Sequence, residues 1–273
     1  MITFPNAKIN IGLNVTEKRP DGFHNLETIF FPVGWTDVLE IAEAREVGYT
    51  SSGIEIDGSP EHNLVMKAYR LLQNDFALPP LKIHLHKQIP FGAGLGGGSS
   101  DAAFMLRMLN KTYDLNLSPE KLIDYAAVLG SDCPFFILNR PVFATGRGEI
   151  MNIIDLKLNN LFLLLVKPPV EVSTAKAFKF IKLQKPRTSL ADSVQLPVEQ
   201  WRDNIVNQFE ESVFQQFPEV QSLRDKFYHL GAIYASMSGS GSAVFGFFNE
   251  LPAHLEKLFP APFLTFSQQI KIH

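Results

Sequence analysis

The chemistry in this sequence starts where side chains run out. From Pro90 to Ser100 the chain reads Pro-Phe-Gly-Ala-Gly-Leu-Gly-Gly-Gly-Ser-Ser, with five glycines in the seven residues Gly92 to Gly98. A backbone without Cβ atoms can be approached closely by a ligand, and its N–H groups can converge on an anion. Ser99, Ser100 and Asp101 then precede a nearly wholly apolar run, Ala102 to Leu109. That run predicts a helix whose first turn, with its free amides and the positive end of its dipole, faces the anion. Phosphate suits such a site.

Two well-known phosphate motifs overlap here and neither is complete. Gly92, Gly94 and Gly97 spell G-x-G-x-x-G, but Asp114, at the distance of the expected ribose-binding acid, follows a helical pattern and not a strand. Gly92 to Ser99 nearly spells G-x-x-x-x-G-K-S, yet Gly98 occupies the lysine position. A lysine serving this loop must come from elsewhere. Lys8 and Asn10 share one face of an alternating segment, although a strand lysine by itself reads as a solvated surface residue. Asp132, in Ser131-Asp132-Cys133-Pro134, is either a turn former or a placed carboxylate on the residues alone. Ser238 to Ser242 forms a second glycine-serine loop, either a plain turn or another backbone lining for phosphate. His84 and His86 have metal-like spacing but lack a third ligand, which argues against zinc.

The elements that must position these residues follow from periodicity. Ile9, Ile11, Leu13 and Val15 alternate with polar residues as in a half-buried strand. Pro20-Asp21-Gly22 is a turn, with Phe23 and His24 just past it and a return strand from Phe23 to Val33. Further strands are expected over Val38 to Ala42 and Gly53 to Ile56, and a helix from Asn63 as cap through Leu72. Leu81, Ile83 and Leu85 alternate with Lys82, His84 and His86 in the strand entering the glycine loop. Ser118-Pro119-Glu120 starts a helix that Gly130 would end in left-handed conformation, and Phe135 to Leu138 reads as a buried strand. Near 150–160 the pattern loosens, which places a domain boundary between 1–155 and 156–273. The second half reads as a strand over 161–166, a helix capped by Ser173 or Thr174, and a poorly patterned stretch to about 200. Helices around 204–215 and 219–230, a hairpin flanking the Ser238 to Ser242 loop, and a last helix and strand to the C-terminus complete an α+β, ferredoxin-like pattern.

A chain of 273 residues with 45% hydrophobic and 19% charged content can bury a substantial core. Its formal net charge of −3 argues against broad nucleic-acid or membrane-surface binding. The one cysteine, Cys133, excludes an intrachain disulfide. Met1 to Asn14 lacks the continuous apolar core of a secretory signal, and a cytoplasmic location is expected.

Together these residues resemble the GHMP small-molecule kinases. Asn6-Ala7-Lys8-Ile9-Asn10, Pro90 to Ala103 and Ser236 to Ser242 are similar to that family's three motifs, in the same order. Arg19 to His24 and Gly130 to Phe136 look like the branch acting on the cytidine diphosphate ester of methylerythritol, in non-mevalonate isoprenoid synthesis. The resemblance implies a ribosomal S5 domain-2-like N-terminal domain and a ferredoxin-like C-terminal domain with the active site between them. It implies transfer of the γ-phosphoryl of ATP, with Mg²⁺, to the substrate's 2-hydroxyl. By position Asp132 takes the hydroxyl proton while Lys8 keeps that carboxylate charged and eases deprotonation of the hydroxyl. Pro90, Gly92, Gly94, Leu95, Gly96, Gly97, Gly98, Ser99 and Ser100 would hold ATP, with Asn63 near adenine. Asn10, Thr174, Ser238 and Gly239 would contact the substrate. Phe23 would stack on one face of the cytosine and Phe178 on the other, with His24 reading its edge.

This sequence departs from the family pattern at three points. Phe23 stands where the family often has tyrosine, which keeps stacking and loses a hydroxyl. Asp101 stands at a common asparagine; a carboxylate there either repels phosphate or, with Ser99 or Ser100, helps hold Mg²⁺. Cys133 replaces an apolar residue and reads as packing. The alternatives are a sister kinase acting on a sugar, homoserine or mevalonate, and a non-catalytic nucleotide-binding or RNA-binding module on the same fold.

Overall fold

The computed structural model describes residues 1–179, 181 and 188–271. The chain forms two compact units interleaved in sequence: Met1–Lys8, Pro32–Pro90 and Gly96–Arg140 in the first, and Ile9–Phe31, Phe91–Leu95 and Pro141–His273 in the second.

In the first unit, β1 (Ile2–Thr3), β4 (Val38–Glu43), β5 (Gly48–Gly53) and β6 (Leu81–Lys87) form a sheet in the order β1-β4-β6-β5. The β5/β6 pair is parallel and the other pairs antiparallel. Strand β6 shows the expected alternation, with Leu81, Ile83 and Leu85 inward, and the same register carries Lys87 inward too. Four helices belong here: α1 (Leu64–Asp75), α2 (Gly97–Thr112), α3 (Pro119–Leu129) and α4 (Cys133–Leu138). Helix α1 packs on α2, and α2 on α3 and α4. Asn63 Oδ1 caps α1 by accepting from Val65 N at 2.8 Å, and Ser118 Oγ caps α3 by accepting from Lys121 N at 3.3 Å.

Three local expectations are corrected in this unit. Phe135 to Leu138 is helical, because Pro134 in the first turn fits a helix start and a short apolar run has no period of its own. Gly130 is extended, with φ 169°, and Cys133 N donates to its carbonyl at 3.1 Å to begin the next turn. The strand expected over Gly53 to Ile56 lies earlier and ends at Gly53, whose φ of 81° turns the chain.

In the second unit, β9 (Phe162–Lys167), β10 (Tyr234–Met237), β11 (Val244–Phe248) and β12 (Leu264–Gln269) form an antiparallel sheet in the order β10-β11-β9-β12. That is the strand order of a split βαβ, ferredoxin-like layer, with β10 and β11 as the expected hairpin. Its helices are α5 (Thr174–Lys179), α6 (Leu190–Ser193), α7 (Trp201–Asn204), α8 (Phe209–Gln216), α9 (Pro218–His229) and α10 (Leu255–Leu258). Val213, Phe214, Val220, Leu223 and Phe227 from α8 and α9 share one core with Leu164, Val166, Val244 and Phe248. Of the poorly patterned stretch, residues 180 and 182–187 lie outside the described residues, as do 272–273 of the last strand's expected run.

A third sheet, in the order β2-β3-β7-β8, joins β2 (Asn6–Lys18), β3 (His24–Thr36), β7 (Val142–Thr145) and β8 (Ile150–Ile153). The expectation of a half-buried β2 is corrected: every residue from Ala7 to Val15 is buried, polar Lys8, Asn10 and Asn14 included. Alternation on this strand separates two buried environments, one apolar and one polar.

Candidate active site

Lys8 is therefore no surface lysine. It is 3% exposed, and its Nζ lies 3.3 Å from Asp132 Oδ2. Asp132 sits at the N-cap position of α4 without making a side-chain cap bond, and its side chain is 35% exposed. One carboxylate is thus charge-compensated from behind and open in front, the condition for taking a proton from an incoming hydroxyl. Gly96 lies against the same lysine, for a Cβ there would meet Lys8 Cε at 3.1 Å and Phe136 Cζ at 3.0 Å. Ser99, on the first turn of α2, hydrogen-bonds the Cys133 thiol. The end of the glycine loop, the lysine and the aspartate are one constellation within the first unit.

Cys133 is fully buried, and burial pushes its thiol up to about 11, so it acts as a small hydrophobe behind Asp132.

The glycines of the loop serve two purposes. At Gly94 (φ 73°) a Cβ would fall 1.9 Å from Ser238 O, and at Gly97 it would fall 2.9 Å from both Lys87 Nζ and Ile89 Cγ2. The protein itself occupies that space. At Gly98 the nearest neighbour is Leu64 Cδ1 at 3.8 Å, so there the approach of a ligand is what a side chain would hinder. Pro90 and Leu95 are buried and serve the loop by packing, while Gly92 remains exposed.

Asp101 does not face the loop's open side, which corrects the expectation that it repels phosphate or helps hold Mg²⁺. It is buried, its Oδ2 accepts from Lys87 Nζ at 2.8 Å, and Lys87 also pairs with buried Asp37 Oδ2. Burial first, then the neighbouring Asp37 charge against the pull of Lys87, raises Asp101 to about 7. Ser100 is also fully buried, its hydroxyl without a hydrogen-bond partner among the described residues. Of the three residues considered for metal, only Ser99 is partly exposed. Asn63 accepts at Oδ1 as a helix cap and donates from Nδ2 to Tyr49 Oη at 2.9 Å, which leaves its second N–H and its second oxygen lone pair for any further contact.

In the second unit, Asn10 donates from Nδ2 to Thr28 Oγ1 at 2.9 Å, and Thr28 donates to Gly12 O at 2.6 Å. Ser238 Oγ accepts from Asn10 N at 3.2 Å and donates to Gly94 O at 2.9 Å. That fully buried hydroxyl is a brace between strand β2 and the glycine loop, and not an exposed substrate contact. Gly239 fits beside it, where a Cβ would come 3.1 Å from Asn10 Oδ1. Thr174 Oγ1 pairs with Ser240 Oγ at 2.9 Å on an exposed edge.

The three aromatic residues have protein partners of their own. Phe23 is 51% exposed, and the Arg147 guanidinium lies over its ring at 4.8 Å. The ring stacked on Phe178 is His24, with centroids 4.9 Å apart and planes 19° off parallel; Phe178 in turn meets Phe209 edge-on. Burial, then the Lys18 charge, pushes His24 below the usual histidine value, so its ring is neutral at pH 7 and can both donate and accept. Asp37, Thr28, Lys87 and Arg147 were not singled out from the sequence. Lys87 left a signal, an inward register position on β6 filled by a charge, whereas Asp37 left none.

The sequence matches the family model described as GHMP kinases N terminal domain over residues 63–140 and that described as GHMP kinases C terminal over residues 196–257. The chain belongs to the GHMP kinases, enzymes whose phosphoryl donor is ATP. Its relatives narrow the branch. A Bacteroides fragilis protein named 4-diphosphocytidyl-2-C-methyl-D-erythritol kinase is 55% identical over 91% of this chain and 92% of its own. One of the same name from Chlorobium chlorochromatii is 40% identical over 95% and 93%. A crystal structure of 4-(cytidine 5'-diphospho)-2C-methyl-D-erythritol kinase superposes with a TM-score of 0.81 at 30% identity, covering 98% of each chain. Mevalonate kinase from Methanococcus jannaschii shares the fold, with a TM-score of 0.72 at 14% identity over 99% and 98%.

Proposed function

We infer that this chain transfers the γ-phosphoryl of ATP to the 2-hydroxyl of 4-diphosphocytidyl-2-C-methyl-D-erythritol, in the non-mevalonate isoprenoid route. The observation that carries the reading is the Lys8–Asp132 pair beside the end of the glycine loop, in a chain whose relatives bear that enzyme's name. Phosphoryl transfer asks a protein mainly for positioning and charge stabilisation. Asp132 accepts the proton of the attacking hydroxyl, and Lys8 offsets the charge on both. The amides of Gly96 to Ser99, at the start of α2, hold the phosphates.

Ser99, the first hydroxyl on α2, would hold Mg²⁺, since Asp101 is committed to Lys87, and the ion when bound would neutralise phosphate charge. Phe23, His24 and Phe178 recognise the cytosine, with Asn10 and Thr174 nearer the rest of the substrate. No helix among the described residues is long and apolar enough to cross a membrane, and we assign the enzyme to the cytoplasm, where both substrates are dissolved metabolites.

ATP consumption measured with the cytidylated alcohol, its uridine analogue, mevalonate and homoserine tests the assignment. Turnover is expected with the first alone; equal turnover of mevalonate or homoserine overturns it. Phe23→Ala should cost roughly 1–3 kcal/mol in binding of the cytidylated substrate, the range for a base stacked on an aromatic ring. His24→Ala should instead narrow the preference for cytidine over uridine, because an edge reader discriminates by leaving the wrong base unpaired.

A further inference from the structure

Three buried ionisable side chains meet under the glycine loop. Asp37 Oδ1 accepts from the backbone N–H groups of Gln88 and Ile89, at 2.5 and 2.8 Å, and its Oδ2 accepts from Lys87 Nζ. Lys87 passes the connection on to Asp101 Oδ2 at 2.8 Å. Gln88 and Ile89 are the last residues before the loop begins at Pro90, and Asp101 is in the first turns of the helix that ends it. One carboxylate holds the entrance and the other the exit, and the lysine ties them together.

Such a cluster is a poor way to gain stability, since removing two carboxylates and an ammonium from water costs several kcal/mol per ion before their attraction offsets it. What directional, charge-assisted bonds supply is fixed geometry. Here they fix the span between the two loop ends. Gly97 completes the arrangement, because only a residue without Cβ lets the ammonium sit 2.9 Å from where that atom would be.

We propose that Asp37, Lys87 and Asp101 are positioning residues: a buried clamp that holds the two ends of the glycine loop at the separation in which its amides already point at the nucleotide phosphates. All three side chains are sealed from solvent, so they act through the backbone they hold. The clamp's action is to remove the ordering cost that a free glycine loop would meet on binding ATP. This rests on the loop being the ATP site, and the experiment separates that premise from the identity of the alcohol.

Asp101→Leu cuts the exit anchor but leaves the Lys87–Asp37 pair; Asp101→Asn keeps an acceptor for Lys87. ATP affinity is measured by direct titration without any alcohol, alongside the Michaelis constants for ATP and for the cytidylated alcohol. Cutting the anchor returns the ordering cost of the loop to the binding step, so Asp101→Leu should weaken ATP by about tenfold, with the alcohol's constant within about twofold. Asp101→Asn should return most of that loss. A folded Asp101→Leu protein with unchanged ATP affinity overturns the clamp, as does a parallel loss for the alcohol or an asparagine no better than leucine. If leucine does not fold, Asp101→Ser, small and polar, makes the same cut and is held to the same outcomes. Should the wild type bind ATP but ignore the cytidylated alcohol, the proposed substrate falls and the clamp is still decided by the titration.

Discussion

The first unit contains two lysine–aspartate sites that differ in one respect. Lys8 and Lys87 are both strand residues turned into the interior, and each is paired with acid. Around Lys87 both partners are sealed, with Asp37 at 0% and Asp101 at 3% side-chain exposure; beside Lys8 the partner Asp132 stands 35% open. A sealed pair holds geometry, because no substrate hydroxyl reaches it. A half-open pair can exchange a proton with something that arrives. The exposure of the acid, and not the burial of the base, separates chemistry from scaffolding.

The hardest test of that contrast is Asp132→Asn, which keeps shape and removes the base. It should lower kcat by about 10²–10⁴-fold while ATP affinity barely changes. A near-normal kcat would make the open pair another scaffold. Lys87→Met should do the reverse, lowering unfolding free energy by about 3–5 kcal/mol in denaturant titration, because two carboxylates are left buried without their cation.

Asp101→Asn probes the same site more gently, through pH. The carboxyl is raised to about 7 in the folded chain, above its ordinary 3.8, so the folded state keeps a proton that the unfolded state releases between those values. Stability from this group is therefore lost as pH rises from about 4 to about 7, and the loss is complete above that. Thermal unfolding of the asparagine variant should show a flatter slope across the window; an identical slope would mean another group titrates.

The smallest expected stability change comes from the loop itself. Gly98→Ala touches no buried charge and improves the helix, so it should add roughly 0.5–1 kcal/mol of stability. It should at the same time weaken ATP about tenfold, or ~1.4 kcal/mol, if a ligand is what requires the glycine. Stability and affinity moving in the same direction would return Gly98 to the packing role of Gly97.

Much of this was legible in the sequence because it is local. The cap at Asn63, the Ser118-Pro119 helix start, the alternation of β6 and the hairpin around Ser238 to Ser242 each depend on a few neighbouring residues. Phe135 to Leu138 misled because four apolar residues fit a strand or a helix equally, and Pro134 was the better witness. The partnerships that define the site are long-range. Asp101 reads as a phosphate-side carboxylate until Asp37 and Lys87, from two other elements, are seen to claim it. The stack of His24 on Phe178 and the guanidinium of Arg147 over Phe23 likewise join residues far apart in the chain. No spacing rule reports them.

Strand β2 carries a debt of time. Leu13 N donates to Val206 O, Gln208 N donates back to Leu13 O, and Val15 N reaches Gln208 Oε1 across 193 positions of sequence. On a ribosome adding about 5–20 residues per second, β2 waits roughly 10–40 s before those partners exist. Through that interval Leu13 and Val15 lack Phe209, Val213, Phe227 and Phe248, with which they share one core in the finished protein. A strand that delivers Lys8 and Asn10 to their places is thus among the first segments made and among the last secured.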